Sequence, residues 1–126
     1  RFEPLAAEPF RAFKEMPGSM PYVGAFAART EQALAPHAEQ ISALLPQIKD
    51  ALSGKNAPAA VSGDFAFVVQ PLPKIALCYI VYEADEDFPA SVTCLYSSNA
   101  DQFLPVDALA DTGEYTSRTI LDIIGK

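Results

Sequence analysis

The chain has 126 residues, nine of them basic and sixteen acidic, which leaves a formal net charge of −7. A nucleic-acid-binding protein needs a basic surface that releases counterions from phosphates, so this charge argues against a nucleic-acid partner. It argues equally against docking on anionic lipid, and no run of about 18 apolar residues predicts a membrane span. The length predicts one domain over 1–126, and a start at Arg1 instead of methionine predicts a fragment of a longer protein.

The first half of the sequence predicts an extended lead-in followed by helices. Prolines punctuate residues 1–21, and proline removes a backbone donor and disfavours helix at the preceding residue. Apolar residues recur at three- and four-residue spacing over 22–35, which predicts a helix. Residues 37–53 continue this spacing, but Pro46 interrupts it, so either one kinked helix or two short helices are expected. The small and polar residues 54–63 predict a surface loop.

The second half predicts a small antiparallel sheet of three or more strands. Apolar residues alternate over 64–70, which predicts a strand that Pro71 and Pro73 interrupt. A segment at about 74–82 is apolar on both faces, as is typical of a central strand that is covered on both sides. It forms a predicted hairpin with a strand at 91–97.

The segment after the hairpin predicts two helices. The first covers 105–111 and is broken at Gly113, and the last covers 114–124 with Tyr115 and Ile120 on its buried side. The predicted fold class is therefore α+β, with N-terminal helices, a small antiparallel sheet built around a central hairpin, and a C-terminal helix.

The only two cysteines, Cys78 and Cys94, fall on the two predicted strands of the hairpin. Together with the single histidine they are too few for a structural zinc site or an iron–sulfur cluster. If the hairpin is symmetric about Glu86, Cys78 faces Cys94, and the two could form a cross-strand redox pair. The alternative is a pair of small buried hydrophobic residues in a reduced, cytoplasmic protein.

The turn between the two central strands carries the densest charge in the chain. We call this segment the acidic tip: Glu83, Asp85, Glu86, Asp87, Phe88 and Pro89. Its carboxylates match the first three ligand positions of an EF-hand loop, but Phe88 stands where the loop needs glycine and Cys94 where it needs glutamate. No metal site is therefore predicted. The remaining alternatives are a solvated tip and, because of Phe88 and Pro89, a docking loop for a protein partner.

No motif for a catalytic or nucleotide-binding site is present. The sequence has neither a nucleophile elbow nor a glycine-rich phosphate loop, so no catalytic residue and no cofactor are predicted. The only histidine, His37, is expected on the surface at a helix start. Five tyrosines could line a pocket, although tyrosine is more often a core residue whose hydroxyl reaches the edge.

Short motifs along most of the chain resemble a known family. They are FKEMPG at 13–18, QPLP at 70–73, DFP at 87–89 and FLP at 103–105. In combination they resemble the C-terminal portion of the uncharacterised bacterial family called domain of unknown function 3786. The resemblance implies a cytoplasmic protein of an anaerobic bacterium, and it implies no particular reaction.

These observations predict a non-catalytic accessory or protein-interaction domain that acts through the acidic tip. The alternative is a small-molecule or cofactor-binding domain, with or without enzymatic activity, that has a pocket lined by tyrosines and carboxylates. The sequence leaves the oligomeric state open.

Overall fold

The computed structural model describes residues 3–59 and 61–126, in which helices and an antiparallel sheet form an α+β fold, as predicted. Residues 1–2 of the predicted lead-in and residue 60 of the predicted loop lie outside the described residues. Among the described helices, none has the length and apolarity to cross a membrane.

A five-stranded antiparallel sheet organises the described residues. The strands are β1 (Arg11–Ala12), β2 (Lys55–Asn56), β3 (Phe65–Leu72), β4 (Ile75–Tyr82) and β5 (Ser91–Tyr96). Their spatial order is β1-β5-β4-β3-β2, so the segment with two apolar faces is the central strand. Two details differ from expectation: β2 lies within the predicted loop, and β3 continues through Pro71 with an irregular register between Val69 and Leu72.

Helices cover one face of the sheet. They are α1 (Val23–Phe26), which continues as a π-helical turn over Ala27–Gln32, α2 (Ala38–Ala43), α3 (Leu45–Ala51) and α4 (Val106–Ile123), with 3-10 turns at Phe13–Glu15, Met20–Tyr22, Ala35–His37 and Ala100–Gln102. Alternate side chains of the strands, such as Leu77, Tyr79 and Tyr96, form the main core with Phe13 and Phe26. Helices α2 and α3 are separated at Leu44, and Pro46 lies in the first turn of α3, where its missing N–H costs no hydrogen bond.

The predicted helix break at Gly113 is wrong, because α4 runs without interruption from Val106 to Ile123. Gly113 lies on the buried face of this helix, and a Cβ atom there would come within 2.6 Å of the Tyr96 hydroxyl. The glycine therefore makes room for a packed side chain instead of ending the helix. Tyr115 is 69% exposed and not buried as expected, because it lies about 140° around the helix from the buried Ile120.

The opposite face of the sheet has a thinner cover. Val68, Ala76, Cys78 and Ile80 form a small cluster there, against which Leu5 and Phe10 pack from the N-terminal segment and Ala57 and Val61 from the loop after β2. We call residues 3–10 the N-terminal strap. The Asn99 side chain holds it by accepting the Ala6 N–H (2.9 Å) and donating to the Pro4 carbonyl (3.0 Å).

Candidate functional site

The acidic tip is a turn with internal hydrogen bonds at the end of the β4–β5 hairpin. The Asp85 carboxylate accepts the backbone N–H groups of Asp87 and Phe88, both at 2.8 Å. The Asp85 N–H in turn donates to the Phe88 carbonyl at 2.9 Å. These three bonds give the turn one defined shape, in which the Asp85 carboxylate faces the backbone of the turn and the neighbouring side chains are exposed.

The base of the tip is held by the segment before β3. The Asp64 carboxylate accepts the Glu83 N–H at 2.6 Å, and the Asp64 N–H donates to the Val81 carbonyl at 2.8 Å. The Tyr82 hydroxyl lies 2.7 Å from the Ser62 hydroxyl. These contacts hold the base of the tip in place against the segment before β3.

Phe88 projects from this turn into solvent and is 70% exposed. All four carboxylate residues of the tip are exposed around it, and none forms an ion pair with another described residue. Among the described residues, no three histidine, cysteine or acidic side chains converge so that they could hold a metal ion. The tip thus combines an exposed aromatic ring with uncompensated negative charge.

Two open depressions flank the tip. One, of about 460 Å³, is lined by Asp64, Tyr82, Glu83, Phe88 and Ser91. The other, of about 680 Å³, lies between the tip and the start of α2, and its wall includes Ala35, Pro36, Glu39, Ala84 and Pro89. Both depressions are lined by apolar residues together with carboxylates.

The predicted hairpin register is wrong by one residue. Tyr79 faces Cys94, and Cys78 faces Leu95. Because successive side chains of a strand point to opposite faces, Cys94 enters the main core while Cys78 lies under the strap. The facing arrangement required for a redox pair is therefore absent, and both thiols are free and buried.

Burial makes both cysteines poor nucleophiles. It raises the pKa of Cys78 to about 11. It raises the pKa of Cys94 well above the usual range, with a further contribution from the nearby Glu31 carboxylate. Since the thiolate is the reactive form, neither side chain is prepared for chemistry at neutral pH.

The tyrosines do not gather in one pocket. Tyr79 and Tyr96 are fully buried: the Tyr79 hydroxyl lies 2.9 Å from the Ser117 hydroxyl, and the Tyr96 hydroxyl donates to the Leu109 carbonyl. Burial raises the pKa of both phenols well above the usual value. Tyr22, Tyr82 and Tyr115 are exposed. His37 lies at the N-terminus of α2 and is partly exposed.

A half-buried carboxylate caps the edge of β5. Glu31 accepts the Cys94 N–H at 2.9 Å, so it occupies a backbone donor that the two-residue strand β1 does not reach. Burial raises the pKa of Glu31, and this hydrogen bond lowers it in part. The side chain also borders a cavity of about 250 Å³ with Phe13, Phe26 and Cys94.

A separate polar cavity of about 250 Å³ lies between the π-helical turn and α4. We call it the α4 cavity, and its polar lining residues are Tyr22, Arg29, Thr30, Asp107, Asp111 and Glu114. Sequence reasoning missed this group. The 107–111–114 spacing is a signal for one helical face, but it is hidden once a break is placed at Gly113.

A family model described as a domain of unknown function (DUF3786) matches residues 3–119. The chain belongs to this family. The match covers nearly the whole chain, so the narrower identification with the C-terminal portion of the family is a minor misstatement. No match was found among curated proteins or among solved structures. Membership of DUF3786 indicates no particular reaction, so the surfaces described above are what bears on function.

Proposed function

We propose that this DUF3786 chain is a non-catalytic protein-interaction domain that docks a basic segment of a partner protein through the acidic tip. The observation that carries the proposal is the 70% exposure of Phe88 among four acidic side chains. Large aromatic side chains are enriched among the residues that dominate binding energy at protein interfaces. An aromatic residue at the end of a hairpin is well placed to serve as such an anchor.

The charge of the tip supports a basic partner. Glu83, Asp85, Glu86 and Asp87 have no ion-pair partner among the described residues, and the whole chain carries a formal charge of −7. Complementary charges steer association and disfavour acidic partners. A lysine- or arginine-containing segment with an apolar residue opposite Phe88 would satisfy both features of the tip.

The shape of the tip supports docking as well. Asp85 fixes the turn from inside and Asp64 fixes its base, so little conformational entropy remains to be lost on binding. The depressions on either side, which Pro89 and Tyr82 help to line, offer space for partner side chains.

The cellular setting of the proposal is the cytoplasm of an anaerobic bacterium. The family resemblance implies the source. The two free, buried thiols support a reducing compartment, because proteins of oxidising compartments commonly pair their cysteines.

The test compares two exposed aromatic residues. Phe88 and Tyr115 are 70% and 69% exposed, but only Phe88 lies on the tip. Wild-type, Phe88→Ala and Tyr115→Ala proteins are used as bait in extracts of the source organism, and each enriched protein is then purified and titrated by calorimetry. We expect Phe88→Ala to weaken binding at least about tenfold and Tyr115→Ala to leave it unchanged.

Substitutions that remove single charges distinguish binding at the tip from nonspecific attraction of a basic protein to an acidic one. Glu86→Gln and Asp87→Asn remove charge while keeping Asp85, whose carboxylate shapes the turn. We expect each to slow association and to reduce its dependence on salt. A purified partner that binds the Phe88→Ala protein as tightly as wild type, or the absence of any protein enriched by wild type, would rule the proposal out.

A further inference from the structure

Four consecutive residues, 61–64, join the base of the acidic tip to the face of the sheet that lies under the strap. We call them the linking segment. At its first residue, Val61 packs against the small apolar cluster on that face. At its last residue, the Asp64 carboxylate accepts the Glu83 N–H at 2.6 Å, and the Asp64 N–H donates to the Val81 carbonyl at 2.8 Å. The Cα atoms of Val61 and Asp64 are at most about 11 Å apart, so neither end can move far without drawing on the other.

The middle of the linking segment lies close against β4. Gly63 has a φ of +102°, and a Cβ atom there would come within 2.6 Å of Ile80 Cγ2 and 3.2 Å of the Val81 carbonyl oxygen. Glycine is the residue that tolerates both this backbone conformation and so close an approach. Beside it, the Ser62 hydroxyl lies 2.7 Å from the Tyr82 hydroxyl. The segment is therefore held at each of its four residues.

The two ends of the linking segment serve different surfaces. Asp64 and Tyr82 line the depression of about 460 Å³ beside Phe88. Val61 belongs to the cover of the cluster that contains Cys78, which is 0% exposed. The hydrogen bonds at the tip end lie at the surface, where water competes for them, and contacts of this kind open at low free energy.

We propose that the linking segment couples the acidic tip to the cover of the sheet face that holds Cys78. In the closed arrangement, Asp64 holds the Glu83 N–H while Val61 lies on the apolar cluster. In the open arrangement, both contacts are lost together. A molecule in the depression beside Phe88 would shield the tip-end hydrogen bonds from water, favour the closed arrangement and reduce access to Cys78. Only this last step rests on the proposed function, because the coupling itself is a property of the free chain.

The experiment perturbs one end of the linking segment and measures the other in the free chain. Asp64→Ala removes the bond to the Glu83 N–H, and the rate at which iodoacetamide modifies Cys78 reports the covered face. Val61→Ala trims the packing on that face, and hydrogen exchange of the Glu83 amide reports the tip base. We expect each rate to rise about threefold to tenfold, as the loss of one such contact favours the open arrangement.

Two matched controls leave the linking segment intact. Asp87→Ala removes the same charge from the exposed tip, and Val23→Ala trims a partly buried valine that packs on the main core. Neither should change the far-end rate that its counterpart changes. If Asp64→Ala leaves Cys78 modification unchanged, or Val61→Ala leaves Glu83 exchange unchanged, the two surfaces open independently and the proposal is overturned. Equal acceleration at Cys94 would show global destabilisation and overturn it as well.

Gly63→Ala perturbs the middle of the segment and should raise both rates at least about tenfold. Gly125→Ala is its control, since Gly125 also has a positive φ, of +82°, but a Cβ atom there would meet no described atom within 4 Å. A Gly63→Ala protein in which only one of the two rates rises would contradict the coupling. Because no partner enters these measurements, their outcome is independent of whether the tip docks one.

Discussion

Gly113 fixes how closely helix α4 can approach the sheet. A Cβ atom at this position would lie 2.6 Å from the Tyr96 hydroxyl and 3.1 Å from both Phe26 and Thr30. The Tyr96 hydroxyl reaches the Leu109 carbonyl at this point, and its ring packs against Phe26 with a centroid distance of 5.9 Å. The missing side chain is therefore a packing requirement of the main core.

Gly113→Ala tests this requirement against helix propensity. Alanine would gain about 1 kcal/mol over glycine in an open helix, whereas overpacking a core costs about 1–3 kcal/mol. Because the clashing atoms belong to the buried side chains of Tyr96, Phe26 and Thr30, we expect the free energy of unfolding in urea to fall by about 1–2 kcal/mol. Gly24→Ala is the control: its Cβ would meet no described atom within 4 Å, so propensity alone should stabilise the protein. A Gly113→Ala protein as stable as Gly24→Ala would mean that α4 does not press on Tyr96.

At the scale of elements, the strap is the least firmly held layer. Its apolar contacts are few, and Asn99 supplies two of the hydrogen bonds that align it. The Ser98 N–H donates a third to the Ala7 carbonyl, and Lys74 Nζ donates a fourth to the Glu3 carbonyl. Segments of this kind open at a lower free energy than the elements of a core.

Asn99→Ala should release the strap while the rest of the fold persists. The change removes the hydrogen bonds to the Ala6 N–H and the Pro4 carbonyl, and each such bond contributes about 0.5–1.5 kcal/mol to stability. Hydrogen exchange should show lost protection at the Ala6 amide and retained protection in β4. Asn56→Ala serves as the control, since exposed Asn56 contacts Lys49 and not the strap. Unchanged protection at Ala6 would contradict the role given to Asn99.

Apolar runs and prolines in the sequence predicted those strands and helix ends that depend on residues close together in the chain. The apolar run over 75–82 indicated a central strand, and Pro46 indicated either a kink or a boundary between two short helices, of which the structure has the boundary. Two errors had tertiary causes. The hairpin symmetry failed by one residue, which moved Cys78 to the other face, and Gly113 was interpreted by propensity although a neighbouring tyrosine decides its role.

The candidate sites differ in the same way, because one is contiguous in sequence and the other is assembled by tertiary packing. The acidic tip is contiguous in sequence, so its residues could be named before its shape was known. The α4 cavity joins Thr30 to Asp107 and Asp111, which are more than seventy residues apart in the chain, and only the packing of α4 on the π-helical turn brings them together. An unpaired hydroxyl such as that of Thr30 has no signature in sequence at all.

At the scale of the whole molecule, the two faces of the central sheet are covered unequally, and one cover should open more easily than the other. Helices cover the face that holds Cys94, while the strap and the loop after β2 cover the face that holds Cys78. Opening the first face requires α4 to separate from the core, which approaches global unfolding. Opening the second requires only the strap and the loop after β2 to move away from it.

The two cysteines report these openings separately. We expect an alkylating reagent at mildly alkaline pH, without denaturant, to modify Cys78 well before Cys94, with mass spectrometry of the peptides as the measurement. Burial raises the pKa of both thiols, that of Cys78 to about 11, so each must be exposed by an opening before it reacts readily. Asn99→Ala should accelerate modification of Cys78 alone. Equal rates for the two thiols would mean that the sheet opens as one cooperative unit, and faster modification of Cys94 would place the weaker cover on the helical side.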